Sequence, residues 1–89
     1  MPRVAFTANL QRHVACPPCA AAGATVRAAL DRVFADNPRL RAYILDDQGR
    51  LRHHVAVFVN GSKVADRVGL GDPVGPDDEI FVMQALSGG

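Results

Sequence analysis

Ile80-Phe81-Val82-Met83-Gln84-Ala85-Leu86-Ser87-Gly88-Gly89 is the stretch whose reading decides the rest of the chain. It starts as a strand, because apolar and β-branched residues follow the turn signal Pro76-Asp77-Asp78-Glu79. It ends in two glycines, which offer a core no side chain and lose the most conformational freedom on ordering. The chain therefore divides into a folded body, residues 1–84, and a flexible tail, residues 85–89. Extended, such a tail reaches about 17 Å at ~3.4 Å per residue, far enough to carry a terminal carboxylate into another protein's active site. A frayed end is the bland alternative. The spacing favours function, since only Ala85, Leu86 and Ser87 separate the strand from the glycines.

Working outward, Asn60-Gly61 is a hairpin signal, because both residue types accept positive φ. It follows a strong strand, Val55-Ala56-Val57-Phe58-Val59, and precedes a short one at Ser62 to Val64. The segment from Asp66 to Pro76, rich in glycine and proline, reads as an irregular crossing that Val68, Leu70 and Val74 anchor to the core. Asp46-Asp47-Gln48-Gly49 is a polar turn after a short helical turn over Leu40 to Leu45.

The clearest periodicity is Val26, Ala29, Leu30, Val33 and Phe34, an i, i+3, i+4, i+7, i+8 spacing that predicts one amphipathic helix. Thr25 is placed to cap its start and Asn37-Pro38 to stop it. Arg27 with Asp31, and Arg32 with Asp36, are spaced to meet on its solvated side. At the amino end, Val4 and Phe6 alternate with polar or small neighbours as a first strand. Gln11 to Cys16 reads as a weaker second strand, with His13 and Ala15 facing one way and Arg12 and Val14 the other, closed by Pro17-Pro18.

One helix covers one face of a small mixed sheet, so the expected fold class is α+β, four to five strands packed on one main helix. The core candidates on the strands are Val4, Phe6, Val55, Val57, Val59, Ile80 and Val82. By alternation Phe58, Phe81 and Met83 then point away from the helix as a docking face beside the tail. A one-residue shift of the middle strand would exchange Phe58 with the valines.

With 89 residues the chain makes one domain, and a formal charge of +1 supplies no electrostatic footprint for nucleic acid or an anionic membrane. No apolar run approaches a membrane span, Met1-Pro2-Arg3-Val4-Ala5-Phe6 lacks a signal-peptide stretch, and two cysteines are too few for a secreted disulfide framework. A cytoplasmic protein, monomeric on its own, is the expectation.

Together these segments resemble the MoaD and ThiS family of ubiquitin-like β-grasp sulfur carriers. The resemblance rests on Val4-Ala5-Phe6, on Ala24 to Leu30, on Val55 to Gly61, and on Asp77-Asp78-Glu79-Ile80 leading through Ala85-Leu86-Ser87 to Gly88-Gly89. It implies a β-grasp domain over residues 1–84 and a carrier rather than an enzyme. Gly89 would be the residue modified: an adenylating partner enzyme joins its carboxylate to AMP from ATP, and sulfur then replaces AMP to leave a thiocarboxylate. Leu86, Ser87 and Gly88 would be recognised as the tail threads inward, while Phe58, Phe81 and Met83 meet the partner's surface. The chain itself would hold no tightly bound cofactor and no metal, and a sulfur-accepting synthase would take the product. Ala56, where family members often carry asparagine, and Thr7 and Met83, where molybdopterin-synthase small subunits tend to be aromatic, leave the pathway open between molybdopterin, thiazole, cysteine and secondary metabolites.

Two other chemistries compete. A ubiquitin-like modifier would use the same tail to form an isopeptide bond to a lysine. Cys16-Pro17-Pro18-Cys19 could supply a redox pair or half a zinc site, with His13, His53 and His54 as further ligands. Against it, a redox CxxC usually opens a helix, and here proline and alanines follow. His53 and His54, on adjacent strand positions, should also face opposite ways. The histidines read instead as a solvated strand edge, with His54 or Arg52 placed to contact an enzyme partner.

Overall fold

The computed structural model describes residues 1–84. In chain order it comprises β1 (Arg3–Phe6), α1 (Ala8–Gln11), β2 (Cys19–Ala20), α2 (Val26–Asp36), α3 (Pro38–Ile44), β3 (Val55–Val59), β4 (Ser62–Lys63) and β5 (Glu79–Gln84). The five strands form one sheet in the order β2-β1-β5-β3-β4. β5 lies at its centre, parallel to β1 and antiparallel to β3, and the outer pairs β1–β2 and β3–β4 are antiparallel. This is the mixed sheet expected from the patterning, in the β-grasp arrangement that the resemblance implies. Among the described residues no helix is long and apolar enough to cross a membrane.

α2 forms because its local signals agree. Val26, Ala29, Leu30, Val33 and Phe34 are all buried, the five positions that the periodicity selects. Thr25, in an extended conformation, accepts the Ala28 N–H through Oγ1 at 3.1 Å. The crossing segment completes the cap: Val26 N–H donates to Asp72 O at 3.0 Å and Arg27 N–H to Leu70 O at 2.9 Å. Asn37 ends α2, its N–H donating to Phe34 O, and Pro38 then opens α3, whose Leu40 and Ile44 are buried. The Arg27–Asp31 ion pair forms at 3.5 Å, whereas among the described residues Arg32 and Asp36 form none.

The helices share one core with the inward residues of the sheet, Val4, Phe6, Val55, Val57, Ile80 and Val82, with Val59 half-buried at its margin. Gly23 packs directly on the first turn of α2, where an added Cβ would lie 2.5 Å from Ala29 N. The hairpin forms as its sequence predicts, Asn60 and Gly61 taking φ of 51° and 86°.

The structure corrects the sequence reading in three places. Gln11 to Cys16 is not a strand. Leu10 and Val14, four residues apart, are both buried, and Val14 N–H donates to Leu10 O at 3.2 Å, so helical rather than alternating geometry governs this segment. The strand beside β1 is Cys19–Ala20, in antiparallel register Arg3 to Ala20 and Val4 to Cys19. Val68 does not anchor the crossing; it is 63% exposed, and Leu70 and Val74 hold the segment. His53 and His54 lie in a turn before β3, their rings edge to face with centroids 5.3 Å apart, rather than on opposite faces of a strand.

Candidate functional site

β5 pairs residue for residue with β3: Val55 with Gln84, Ala56 with Met83, Val57 with Val82, Phe58 with Phe81 and Val59 with Ile80. Val57 and Val82 are fully buried toward the helices, so alternation sends Phe58, Phe81, Ala56 and Met83 to the opposite face. Phe58 and Phe81 are half-buried, Met83 is 40% exposed, and Ala5 of β1, opposite Phe81, extends the same surface. The register thus brings together the three side chains expected to form a docking face, and the shift that would have buried Phe58 does not occur.

The other candidate residues, Leu86, Ser87, Gly88 and Gly89, lie outside the described residues. The described chain stops at Gln84, whose N–H donates to Thr7 Oγ1 at 3.5 Å and which pairs with Val55 at the start of β3. The end of the central strand is therefore held by Val55 of β3 on one side and by Thr7, just past β1, on the other.

Beside that starting point is a feature that net charge concealed. A cleft of about 630 Å³ is lined by Arg50, Arg52, His53, His54, Lys63 and Arg67, with Asp46 as its carboxylate. Arg50 pairs with Asp46 at 3.2 Å. The Asp46 carboxyl, which also accepts the Gln48 and Arg50 backbone N–H groups, is held below its ordinary range, the Arg50 amide being the largest cause. Arg52 Nε donates to Ala42 O at 2.9 Å and Arg67 Nη2 to Arg52 O at 3.1 Å. In the sequence the signal is split between the Arg50-Leu51-Arg52-His53-His54 run and isolated Lys63 and Arg67.

Cys16 is buried and Cys19 partly buried, both as free thiols. Burial first, and then the nearby Cys19 sulfur, push the Cys16 thiol above its ordinary value, the opposite of what an activated thiolate needs. Cys19 sits in an edge strand rather than at a helix start. His13 stacks on Tyr43 at 5.8 Å, and among the described residues no three His, Cys, Asp or Glu side chains converge as metal ligands.

Comparison with known proteins agrees with this geometry. The family model described as ThiS family matches residues 17–89. A curated relative, small archaeal modifier protein 1 from Haloferax volcanii, is 35% identical over 66 residues, 74% of this chain and 71% of the relative. The crystal structure of SAMP1 from Haloferax volcanii superposes with a TM-score of 0.82 at 28% identity, covering 98% of this chain and 97% of that one. A chain of the Amycolatopsis orientalis BexX/CysO complex gives 0.83 at 26% identity, with 100% of both chains covered.

Proposed function

The chain belongs to the ThiS family, and from that membership we propose that it is a sulfur carrier whose Gly89 carboxylate is activated and thiolated by a partner enzyme. The carboxylate oxygen attacks the α-phosphorus of ATP bound by the partner, releasing pyrophosphate and leaving an acyl-adenylate. Sulfide sulfur then attacks the acyl carbon and AMP departs with the bonding pair. A cysteine persulfide serves equally if a thiol afterwards reduces the acyl disulfide. The resulting thiocarboxylate is a nucleophilic sulfur donor for a synthase, delivered without free sulfide. Catalysis belongs to the partners; this chain is their substrate.

The observation that carries the reading is that one central strand does two jobs. β5 carries Phe81 and Met83 on the face turned away from the helices and ends at Gln84, paired with Val55, and in the sequence only Ala85, Leu86 and Ser87 separate Gln84 from Gly88-Gly89. A partner gripping the sheet face therefore has the tail's origin at a fixed place. Phe58, Phe81 and Met83 supply the apolar contact, Leu86, Ser87 and Gly88 are recognised along the entry, and the side-chain-free Gly88-Gly89 end is narrow enough to thread toward the ATP site. The test is intact-mass analysis after incubation with the activating enzyme, ATP and sulfide. Gain of one oxygen-to-sulfur exchange at Gly89, abolished by deleting Gly89, is expected; an unchanged mass refutes the carrier role.

The name of the 35% identical relative, a modifier protein, favours a second use of the same activated tail, attack by a lysine amine to give an isopeptide bond. No lysine or arginine follows Arg67. Trypsin would therefore leave residues 68–89 on a modified lysine, which mass spectrometry of tryptic peptides from the native cells detects directly.

A further inference from the structure

We propose that the basic cleft at the β4 edge is an electrostatic docking site for an acidic surface of the activating enzyme, beside the opening that receives the tail. This inference rests on the carrier reading above and names the chemistry of the partner's surface.

The first support is charge segregation. Four of the chain's ten Lys and Arg residues line this cleft, but only one of its nine Asp and Glu residues does. That carboxylate, Asp46, is already paired with Arg50. Among the described residues Arg52, Lys63 and Arg67 have no carboxylate within ion-pair distance. A chain of formal charge +1 therefore concentrates cations without counter-ions in one concavity, while the rest of the molecule carries a net negative charge. Such a local field orients encounter without making the protein a general polyanion binder.

The second is preorganisation. Arg52 and Arg67 are held by backbone carbonyls, those of Ala42 and Arg52, rather than by acids. A carbonyl fixes a guanidinium without neutralising it, so each keeps its full charge and has free N–H donors for a carboxylate. Less side-chain freedom is then lost on binding. Lys63 on an edge strand has a separate use in discouraging strand pairing, but that use does not account for two tethered arginines in the same cleft.

The third is position. Lys63 pairs directly with Phe58, so both project from the same face and the cleft adjoins the apolar surface. At its other side His54 precedes Val55, the partner of Gln84 where the tail departs. An apolar centre with a charged rim is the anatomy of a protein–protein interface. A nucleic acid would call for a basic track along the surface rather than one cleft beside aromatic side chains.

The test uses the full chain and the activating enzyme that passes the mass assay above, with association followed by stopped flow at several salt concentrations. Lys63→Glu is the fold-neutral variant, since Lys63 has no side-chain hydrogen bond or ion pair among the described residues; K63E/R67E is the stronger one. We expect wild-type association to slow roughly tenfold between low and high salt. The double variant should be about tenfold slower than wild type at low salt with a flattened salt dependence, K63E intermediate, and the final thiocarboxylate yield at saturating enzyme unchanged. If wild type is thiolated but the variants associate at its rate, or tighter binding to a DNA oligonucleotide competes with the enzyme, the cleft proposal falls and the carrier reading stands. If wild type is never thiolated, both fall.

Discussion

Phe58 of β3 and Phe81 of β5 lie directly opposite each other across the antiparallel ladder, on the face of the sheet turned away from α2. Cross-strand aromatic pairs stabilise a sheet modestly, and these two are incompletely buried, so part of their apolar area stays accessible on the proposed docking face. Phe81→Ala should therefore weaken association with the activating enzyme at least tenfold, as removal of a central aromatic anchor does. Calorimetric titration measures the loss, and an unchanged circular dichroism spectrum establishes that the variant folds. Full affinity in Phe58→Ala and Phe81→Ala together would remove this face from the interface.

The hairpin and the closing turn are tied by one side chain. Asn60 Nδ2 donates to Asp78 Oδ1 at 2.8 Å and Asn60 Oδ1 accepts Glu79 N–H at 2.9 Å, while its backbone holds φ of 51°. Asn60→Ala loses both bonds and must keep a left-handed conformation, a cost of about 2 kcal/mol. Asn60→Gly loses the bonds but not the conformational freedom, and should cost about half. Gly61→Ala has open space around its new Cβ and should cost only the strain of φ 86°, about 1 kcal/mol. Gly23→Ala places its Cβ against the backbone of α2's first turn, and should cost about 1–3 kcal/mol through overpacking. Urea unfolding ranks the four variants.

Acid should loosen the crossing segment. The Asp66 carboxylate accepts N–H groups from Val68, Gly69 and Gly71 and is held below its ordinary value, chiefly by Gly69 and then by Gly71. A carboxyl depressed in the folded state contributes stability that is present above its unfolded pKa and is lost as pH falls through the folded one. The loss therefore begins below about pH 4. Asp66→Asn should be less stable than wild type at neutral pH, with the difference shrinking toward zero as pH falls from 4 toward 2. Urea midpoints across that range give the curve, and a gap that stays constant would disprove the linkage.

The two thiols should react unequally. Cys16 is 3% exposed and its thiol is pushed up by burial, whereas Cys19 is partly exposed. Iodoacetamide at mildly alkaline pH should alkylate Cys19 first, with Cys16 protected until urea unfolds the chain. Peptide mass mapping over time resolves the order. Equal rates in the folded protein would reopen a shared redox role for Cys16-Pro17-Pro18-Cys19.

Much of the architecture was legible wherever the signal was local. α2 followed from its apolar spacing and from Thr25, the hairpin from Asn60-Gly61, and β3 and β5 from β-branched runs bounded by turn residues. That Phe81 and Met83 share one face followed as well, since alternation along β5 is independent of which strand lies beside it, whereas the side taken by Phe58 depended on the register of β3. The second strand was misplaced because Leu10 and Val14 satisfy an i, i+4 spacing that a weak alternation masked, and because the strand that forms spans only Cys19–Ala20. Val68 was misassigned because an apolar residue in an irregular loop carries no period from which to infer its side.

By itself, then, the sequence determined the elements and the faces of its longest ones, since helical period, turn dihedrals and strand alternation are set by neighbours a few residues apart. The tertiary structure alone decided that Cys19–Ala20 borders β1, that Phe58 meets Phe81, and that Arg52, Lys63 and Arg67 converge in one cleft. Those relations join residues distant along the chain. Their energies come from packing and pairing that exist only once the sheet has closed around β5.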